Sequence, residues 1–434
     1  MLHDDIDKLM HESGMHPADF DCEKELAAFK ADFMRGLSED GDESLMMLPS
    51  FLPVTDKVVR GEPIIAVDAG GTNLRVALVR FDDAGEMQLD SFETYPMPGT
   101  GGAISKELFF KTIAEYILPV AEKSDTVGFC FSYPFVSLKN RDGEALPLCK
   151  EVVVDGIEGA HIGEETERAL KSLGAKGERR YTLLNDTVAA MLAGVLSAKN
   201  KEYDGYVGLI LGTGLNACCA VDTAGITKTD VSSFKHDKMI VNMEIGNYSG
   251  FPRGSVDISL DKSSAMPGSH QFEKMISGAY MGSVILRTLK FACENGLFSE
   301  GFRERINPLK ELELKHVVDY LSGITDENPL AELPENESDV SGLGYVVGLL
   351  YSRAAQMLGV ALCGILECAD IGNSALKPAC VCAEGTTFNK SELFRELLDM
   401  FVREFINSRH GRYLEFVKEE NATLAGTAVA GMLK

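Results

Sequence analysis

Ile64-Ile65-Ala66-Val67-Asp68-Ala69-Gly70-Gly71-Thr72-Asn73-Leu74-Arg75-Val76-Ala77-Leu78-Val79 is the stretch around which the chain is organised. An apolar run ends on a carboxylate, a tight polar turn follows and a second apolar run resumes, which predicts strand, turn, strand. The two glycines can take φ > 0 and let main-chain N–H groups approach a ligand closely. Phosphate suits such a turn: Asp68 would face a metal or its water shell, while Thr72 and Asn73 offer hydroxyl, amide and main-chain donors. An ordinary β-hairpin with a glycine-rich turn would look the same.

The layout occurs twice. Tyr206-Val207-Gly208-Leu209-Ile210-Leu211 runs into Gly212-Thr213-Gly214-Leu215-Asn216 and then Ala217-Cys218-Cys219-Ala220-Val221. Two such hairpins can grip a nucleotide's phosphates from both sides of a cleft, which a single structural turn would not require.

At 434 residues the chain exceeds what one hydrophobic core usually holds, so two lobes or more are expected. Lys+Arg 42 against Asp+Glu 66 gives a net charge of −24, which argues against nucleic acid or an anionic membrane as the main partner. An anionic substrate must then be held by local donors. None of the ten cysteines forms a C-x-x-C pair, and Cys130, Cys218, Cys219, Cys363 and Cys368 lie in apolar runs, which predicts buried, reduced thiols. The histidines make no zinc pattern. The first residues, Met1 to Asp7, are acidic and polar where a signal peptide needs a basic start, and the longest uncharged apolar stretch, Ala354 to Leu366, is well short of the roughly 20 residues that span a bilayer. A soluble, cytoplasmic protein is expected.

Residues 1 to about 45 carry helical spacing and read as a helical N-terminal extension. Strands and helices then alternate, the signature of an α/β fold. Thr126 to Phe131 is a strand leading into Ser132-Tyr133-Pro134. Tyr181 to Leu184 is another, ending in Asn185-Asp186-Thr187 before a helix from Val188 to Leu196. Polar residues at the carboxyl end of a buried strand are where α/β proteins usually place their chemistry, although Asp and Thr are also good helix caps. Ile240 to Glu244 places a carboxylate past an apolar strand, and one helix is expected from Gln271 to about Phe291. Leu333 to Asp339 reads as a solvated linker, Tyr345 to Cys368 as a largely buried helix, and Ala379 to Ala383 as a strand running into the polar turn Glu384-Gly385-Thr386-Thr387. Gly426-Thr427-Ala428 is expected to open the last helix.

These residues resemble the eukaryotic-type hexokinases, within the superfamily that also holds actin and the heat-shock ATPases. The resemblance runs from about Leu45 onward. It rests on Asp68-Ala69-Gly70-Gly71-Thr72-Asn73-Leu74-Arg75-Val76, Phe131-Ser132-Tyr133-Pro134, Leu184-Asn185-Asp186-Thr187-Val188, Gly212-Thr213-Gly214-Leu215-Asn216-Ala217-Cys218, Asn242-Met243-Glu244 and Phe272-Glu273-Lys274-Met275-Ile276-Ser277-Gly278. It implies a two-lobed actin-like ATPase (ribonuclease H-like) α/β fold, with residues 62–184 and 426–434 as the small lobe and 1–61 and 185–425 as the large one. It also implies transfer of the γ-phosphoryl group of ATP, with Mg²⁺, to the 6-hydroxyl of a hexose such as glucose, the first step of glycolysis. Carried over motif by motif, Asp186 is the general base. Ser132, Lys150, Asn185, Asn216, Glu244 and Glu273 hold the sugar, with Cys149 and His270 beside them. Asp68, Gly70, Gly71, Thr72, Asn73, Arg75, Gly212, Thr213, Gly214, Gly385 and Thr386 hold the nucleotide, and Asp68 meets the metal through water. Monomer and homodimer both stay open.

The chain departs from the family pattern at four places. Leu148-Cys149-Lys150 stands where the family has Trp-Thr-Lys, His270 replaces a glutamine, Glu384 replaces an aspartate, and Asn421-Ala422-Thr423 replaces a Gly-Ser-Gly run. Two rivals share the motifs: a catalytically weak, hexokinase-like sugar sensor or scaffold, and a non-kinase ATPase sharing only the nucleotide cleft. The bacterial glucokinase group with a zinc-binding cysteine cluster does not fit this cysteine pattern, and there is no G-x-x-x-x-G-K loop.

Overall fold

A computed structural model of the chain describes residues 2–39, 44–55, 59–148, 152–198 and 201–433. Its frame is a pair of sheets built to one plan. In the first, Arg180–Leu184, Thr126–Phe131 and Ile64–Ala69 lie side by side and parallel, and Asn73–Phe81 and Met87–Pro96 continue antiparallel. In the second, Leu414–Val417, Ala379–Glu384 and Gly205–Leu211 are parallel, and Leu215–Asp222 and Lys238–Asn242 continue antiparallel. The strand order is therefore the same in both sheets, and each glycine hairpin joins the first two strands of its own sheet. Leu48–Pro49 adds an edge strand to the second sheet.

Strand periodicity divides the core. Along Ile64–Ala69 every residue is buried, so both faces of the strand are covered. Ile65, Val67 and Ala69 enter the small lobe's own core, while Ile64 and Ala66 face a second core between the sheets. That inter-sheet core is filled by two helices, Asp186–Ser197 and Ala422–Met432. Their close seating requires glycine. A Cβ on Gly128 would come within 2.0 Å of the Thr427 carbonyl oxygen, one on Gly208 within 2.0 Å of that of Thr187, and one on Gly426 within 1.8 Å of that of Ala189. The architecture is the two-lobed, actin-like (ribonuclease H-like) α/β fold.

The N-terminal segment forms helices Leu2–Glu12 and Cys22–Ser38, the second capped by Asp21, whose side chain accepts from the Lys24 N–H. They pack on the long helix Glu337–Cys368, where Phe29 lies over Gly364.

Three expectations need correction. Leu333 to Asp339 is not simply a solvated linker: Asn336 caps the long helix from Glu337. Asp339, only 2% exposed, accepts from the Ser299 hydroxyl at 2.6 Å and the Glu335 N–H at 2.9 Å, so its charge serves a buried turn. By length and composition alone this helix, Glu337–Cys368, could cross a membrane, but 78% of its apolar window is buried inside the fold. Helix 271–291 is in fact two, Gln271–Ile276 and Gly278–Glu294, broken at Ser277. Gly426 lies in the middle of the last helix, which opens at Ala422.

Candidate active site

The carboxyl ends of three adjacent parallel strands of the first sheet deliver Asp68 with Gly70, Ser132, and Asn185 with Asp186. The corresponding ends of two parallel strands of the second sheet deliver Gly212 and Gly385. Strand ends of this kind are the usual location of ligand sites in α/β folds.

Asn185 caps the helix Asp186–Ser197, its Oδ1 accepting from the Thr187 N–H at 3.0 Å and the Thr187 hydroxyl at 2.7 Å. The same oxygen accepts from Asn216 Nδ2 at 3.2 Å, which joins the end of the first sheet to the second hairpin. Asn216 Nδ2 also reaches Asn242 Oδ1 at 3.0 Å and Glu244 Oε1 at 3.3 Å, and Asn242 Nδ2 donates to Glu244 Oε1 at 2.8 Å. A polar ring of Asn185, Asn216, Asn242 and Glu244 results. Asn242 was part of a quoted motif without a role; its position two residues before Glu244 at a strand end was the available signal. Glu273, buried, accepts the Leu215 N–H on Oε2 at 2.8 Å.

Asp186 is the first residue of its helix and half-buried, where the helix N-terminus stabilises negative charge. Its carboxylate acts on a thiol in each sheet. Burial, then the carboxylates of Asp68 and Asp186, push Cys130 well above the usual thiol range. Burial pushes Cys218 up to about 12, with Asp186 again raising it. Asp186 thus stands within electrostatic reach of the strand Thr126–Phe131 in the first sheet and of the second hairpin's strand Leu215–Asp222.

In that hairpin the Gly70 N–H donates to the Asn73 carbonyl at 3.0 Å, and Gly71, Thr72 and Asn73 are exposed. Tyr133 holds the turn from beneath, its hydroxyl 3.2 Å from the carbonyl oxygens of both Gly70 and Gly71. Within Phe131-Ser132-Tyr133-Pro134 no local pattern marks this contact, because the turn it holds lies 62 to 63 residues upstream. Ser132, half-buried, donates its N–H to the Ala69 carbonyl at 3.1 Å beside the turn. Arg75 pairs with the Asp68 carboxylate, and Thr423 bonds to both.

In the second hairpin the Gly212 N–H donates to the Gly214 carbonyl, and Thr213 is exposed. The helix break at Ser277 has a use here: the Gly278 and Ala279 N–H groups donate to the carbonyls of Gly212 and Thr213 at 2.8 and 3.1 Å. Gly385 (φ 111) presses on the same loop, since a Cβ there would lie 2.3 Å from the Leu211 carbonyl oxygen. Thr386 beside it is exposed. Glu384 is half-buried, burial raises its carboxyl above the usual range, and its Oε1 has no hydrogen-bond partner among the described residues.

Glu244 and His270 both hold the left-handed backbone region at φ 52, a costly conformation for residues other than glycine and one that gathers at functional sites. The His270 N–H donates to Asn247 Oδ1 at 3.3 Å at the start of the helix carrying Glu273. Cys149 and Lys150 lie outside the described residues.

Two models described as Hexokinase match the chain, one over residues 10–196 and the other over 206–433. The chain belongs to the hexokinase family. Hexokinase-1 of Schizosaccharomyces pombe is 26% identical over 94% of this chain and 86% of its own length. Hexokinase HKDC1 of Mus musculus is 27% identical over 94% of this chain, which spans about half of that relative's length, 46%. A solved hexokinase from Schistosoma mansoni, complexed with glucose, superimposes with a TM-score of 0.79, covering 99% of this chain and 98% of that one; at 21% identity this establishes the shared fold. This hexokinase-family chain is accordingly a phosphotransferase, an enzyme of hexose phosphorylation.

Proposed function

We propose that this enzyme transfers the γ-phosphoryl group of ATP to the 6-hydroxyl of glucose or a closely related hexose, with Asp186 as general base. The observation that carries this reading is that Asp186 directly follows Asn185 at the start of its helix, and Asn185 is joined through Asn216 to Asn242 and Glu244, so that the end of the first sheet meets the second glycine hairpin there. Phosphoryl transfer leaves the protein little covalent work, so positioning and charge stabilisation supply most of the rate. Asp186 orients the sugar hydroxyl and takes its proton as the new P–O bond forms.

The amides and carboxylates of Asn185, Asn216, Glu244 and Glu273 read hydroxyl groups around the sugar, with Ser132 and His270 at the edges; Cys149 and Lys150 join this set on the family resemblance alone. A substrate lacking a hydroxyl leaves buried partners unpaired, which discriminates strongly. The exposed turn residues Gly71, Thr72, Asn73 and Thr213 offer their polar hydrogens to the phosphates, Gly70, Gly212 and Gly214 shape the two turns, and Gly385 and Thr386 lie on the nucleoside side. Asp68 offers one hard oxygen donor set, which fits a Mg²⁺ that arrives with the nucleotide and keeps its own waters. When bound, that ion neutralises charge on the transferring phosphoryl group.

Water competes with the sugar as acceptor, so approach of the two lobes on sugar binding completes the site and excludes it. The reaction fits the first step of glycolysis, with the cytoplasm as its compartment. ADP release in a coupled assay, with ATP-Mg²⁺ and glucose, mannose, fructose or glucosamine, tests the reading. Release that rises steeply with hexose supports it. Turnover indifferent to sugar, or sugar binding without turnover, would instead mark the ATPase or sensor alternative.

A further inference from the structure

A buried carboxylate is tolerated only when it has partners, and Asp68 is 2% exposed. Arg75 is one, directly opposite it across the hairpin. The other comes from the far end of the sequence. Thr423 Oγ1 donates to Asp68 Oδ2 at 3.0 Å and accepts from Arg75 Nη2 at 3.1 Å, closing a three-residue ring. Among the described residues the hydrogen bonds from Arg75 and Thr423 both land on Oδ2, and the buried Cys130 thiol lies against the same carboxylate. Thr423 sits in the first turn of the helix Ala422–Met432, entered through Asn421 in the left-handed region at φ 55 with no side-chain cap.

We propose that Thr423 is a positioning residue for the nucleotide-metal site. Its hydroxyl fixes the Asp68 rotamer and commits Oδ2 to the protein, so that Oδ1 is the oxygen presented to the hydrated Mg²⁺ accompanying the nucleotide. The inference rests on the reading of Asp68 given above. A helix-terminal hydroxyl with only a structural part would affect stability and leave metal-dependent binding untouched.

Titration calorimetry with ADP in the presence and absence of Mg²⁺ separates the two on the full-length chain. Thr423→Val keeps the shape and removes the hydroxyl; Thr423→Ser keeps the hydroxyl. Loss of one hydrogen bond to a charged group predicts about tenfold weaker Mg-ADP binding for Thr423→Val, with metal-free ADP binding unchanged and KM for hexose unmoved. Thr423→Ser should bind Mg-ADP like the parent. Equal binding of Mg-ADP by Thr423→Val and the parent, or equal loss with and without Mg²⁺, overturns the proposal. Thr423→Ala, judged folded by its thermal midpoint, takes the place of the valine variant if that one fails to fold. Asp68→Asn distinguishes the premise: if it keeps the parent's preference for Mg-ADP, the reading of Asp68 falls, whereas if it loses that preference while Thr423→Val keeps it, only the role of Thr423 falls.

Discussion

Asn216 Nδ2 stands 3.2 Å from Asn185 Oδ1, although Asn185 ends a strand of one sheet and Asn216 begins a strand of the other. The contact binds the helix that opens with Asp186 to the second hairpin, and its remaining partners, Asn242 and Glu244, extend it into a surface of amides and a carboxylate. Asn216→Ala removes the one donor shared by three acceptors. We expect KM for hexose to rise about tenfold or more, because buried acceptors lose their partner, while KM for ATP changes little. Steady-state kinetics with each substrate varied in turn measures both.

Replacement of Asp186 by Asn retains the shape and removes the proton acceptor. The expected result is a fall in kcat of about 10²–10⁴-fold, the usual worth of general-base catalysis. Hexose binding by calorimetry should remain within a few-fold of the parent, and parent-like turnover would remove the assignment.

Gly426→Ala tests the junction of the two lobes. Its methyl group would begin 1.8 Å from the Ala189 carbonyl oxygen, on the helix that starts with Asp186. Overpacking of this kind costs about 1–3 kcal/mol, and the contact is with backbone, which yields less than a side chain. A lower urea midpoint is expected, together with reduced kcat, because the displaced helix carries Asp186, the proposed base.

Glu384 gives a pH-dependent prediction. Burial raises its folded carboxyl above the ordinary value, so the folded state binds this proton more tightly than the unfolded chain does. The stability it supports is fully present below the ordinary carboxylate range and is lost as pH rises through the raised value. Glu384→Gln carries no charge at any pH. Its stability relative to the parent should therefore increase from acidic toward neutral buffer, as read by urea unfolding across that range; a difference independent of pH would contradict it.

Much of this was legible in the sequence where local chemistry and tertiary role coincide. The strand from Thr126 to Phe131 was marked residue for residue, because an apolar run between polar turns has few other options. The position of Asn185 and Asp186 was legible because a polar triplet after an apolar strand both ends the strand and caps the helix that follows. Other features depend on distant partners. Ser277 interrupts a helix whose periodicity continues through it, since the Gly278 N–H finds the Gly212 carbonyl 66 residues upstream, a pairing no local pattern records. Asp339 looked solvated in an acidic stretch, and only the fold brings Ser299 to it. Thr423 registered merely as a lost glycine motif, because its partners are Asp68 and Arg75, at the opposite end of the chain.

The helix Ala422–Met432 covers a sheet whose strands lie between residues 64 and 184, and all of the second sheet except its edge strand Leu48–Pro49 is synthesised in between. During translation the earlier sheet must therefore wait, one face open, until nearly all of its counterpart has emerged. That delay leaves Ile64, Ala66 and Val79 uncovered in the nascent chain, a natural surface for a chaperone to shield and the region where an interrupted product would aggregate first.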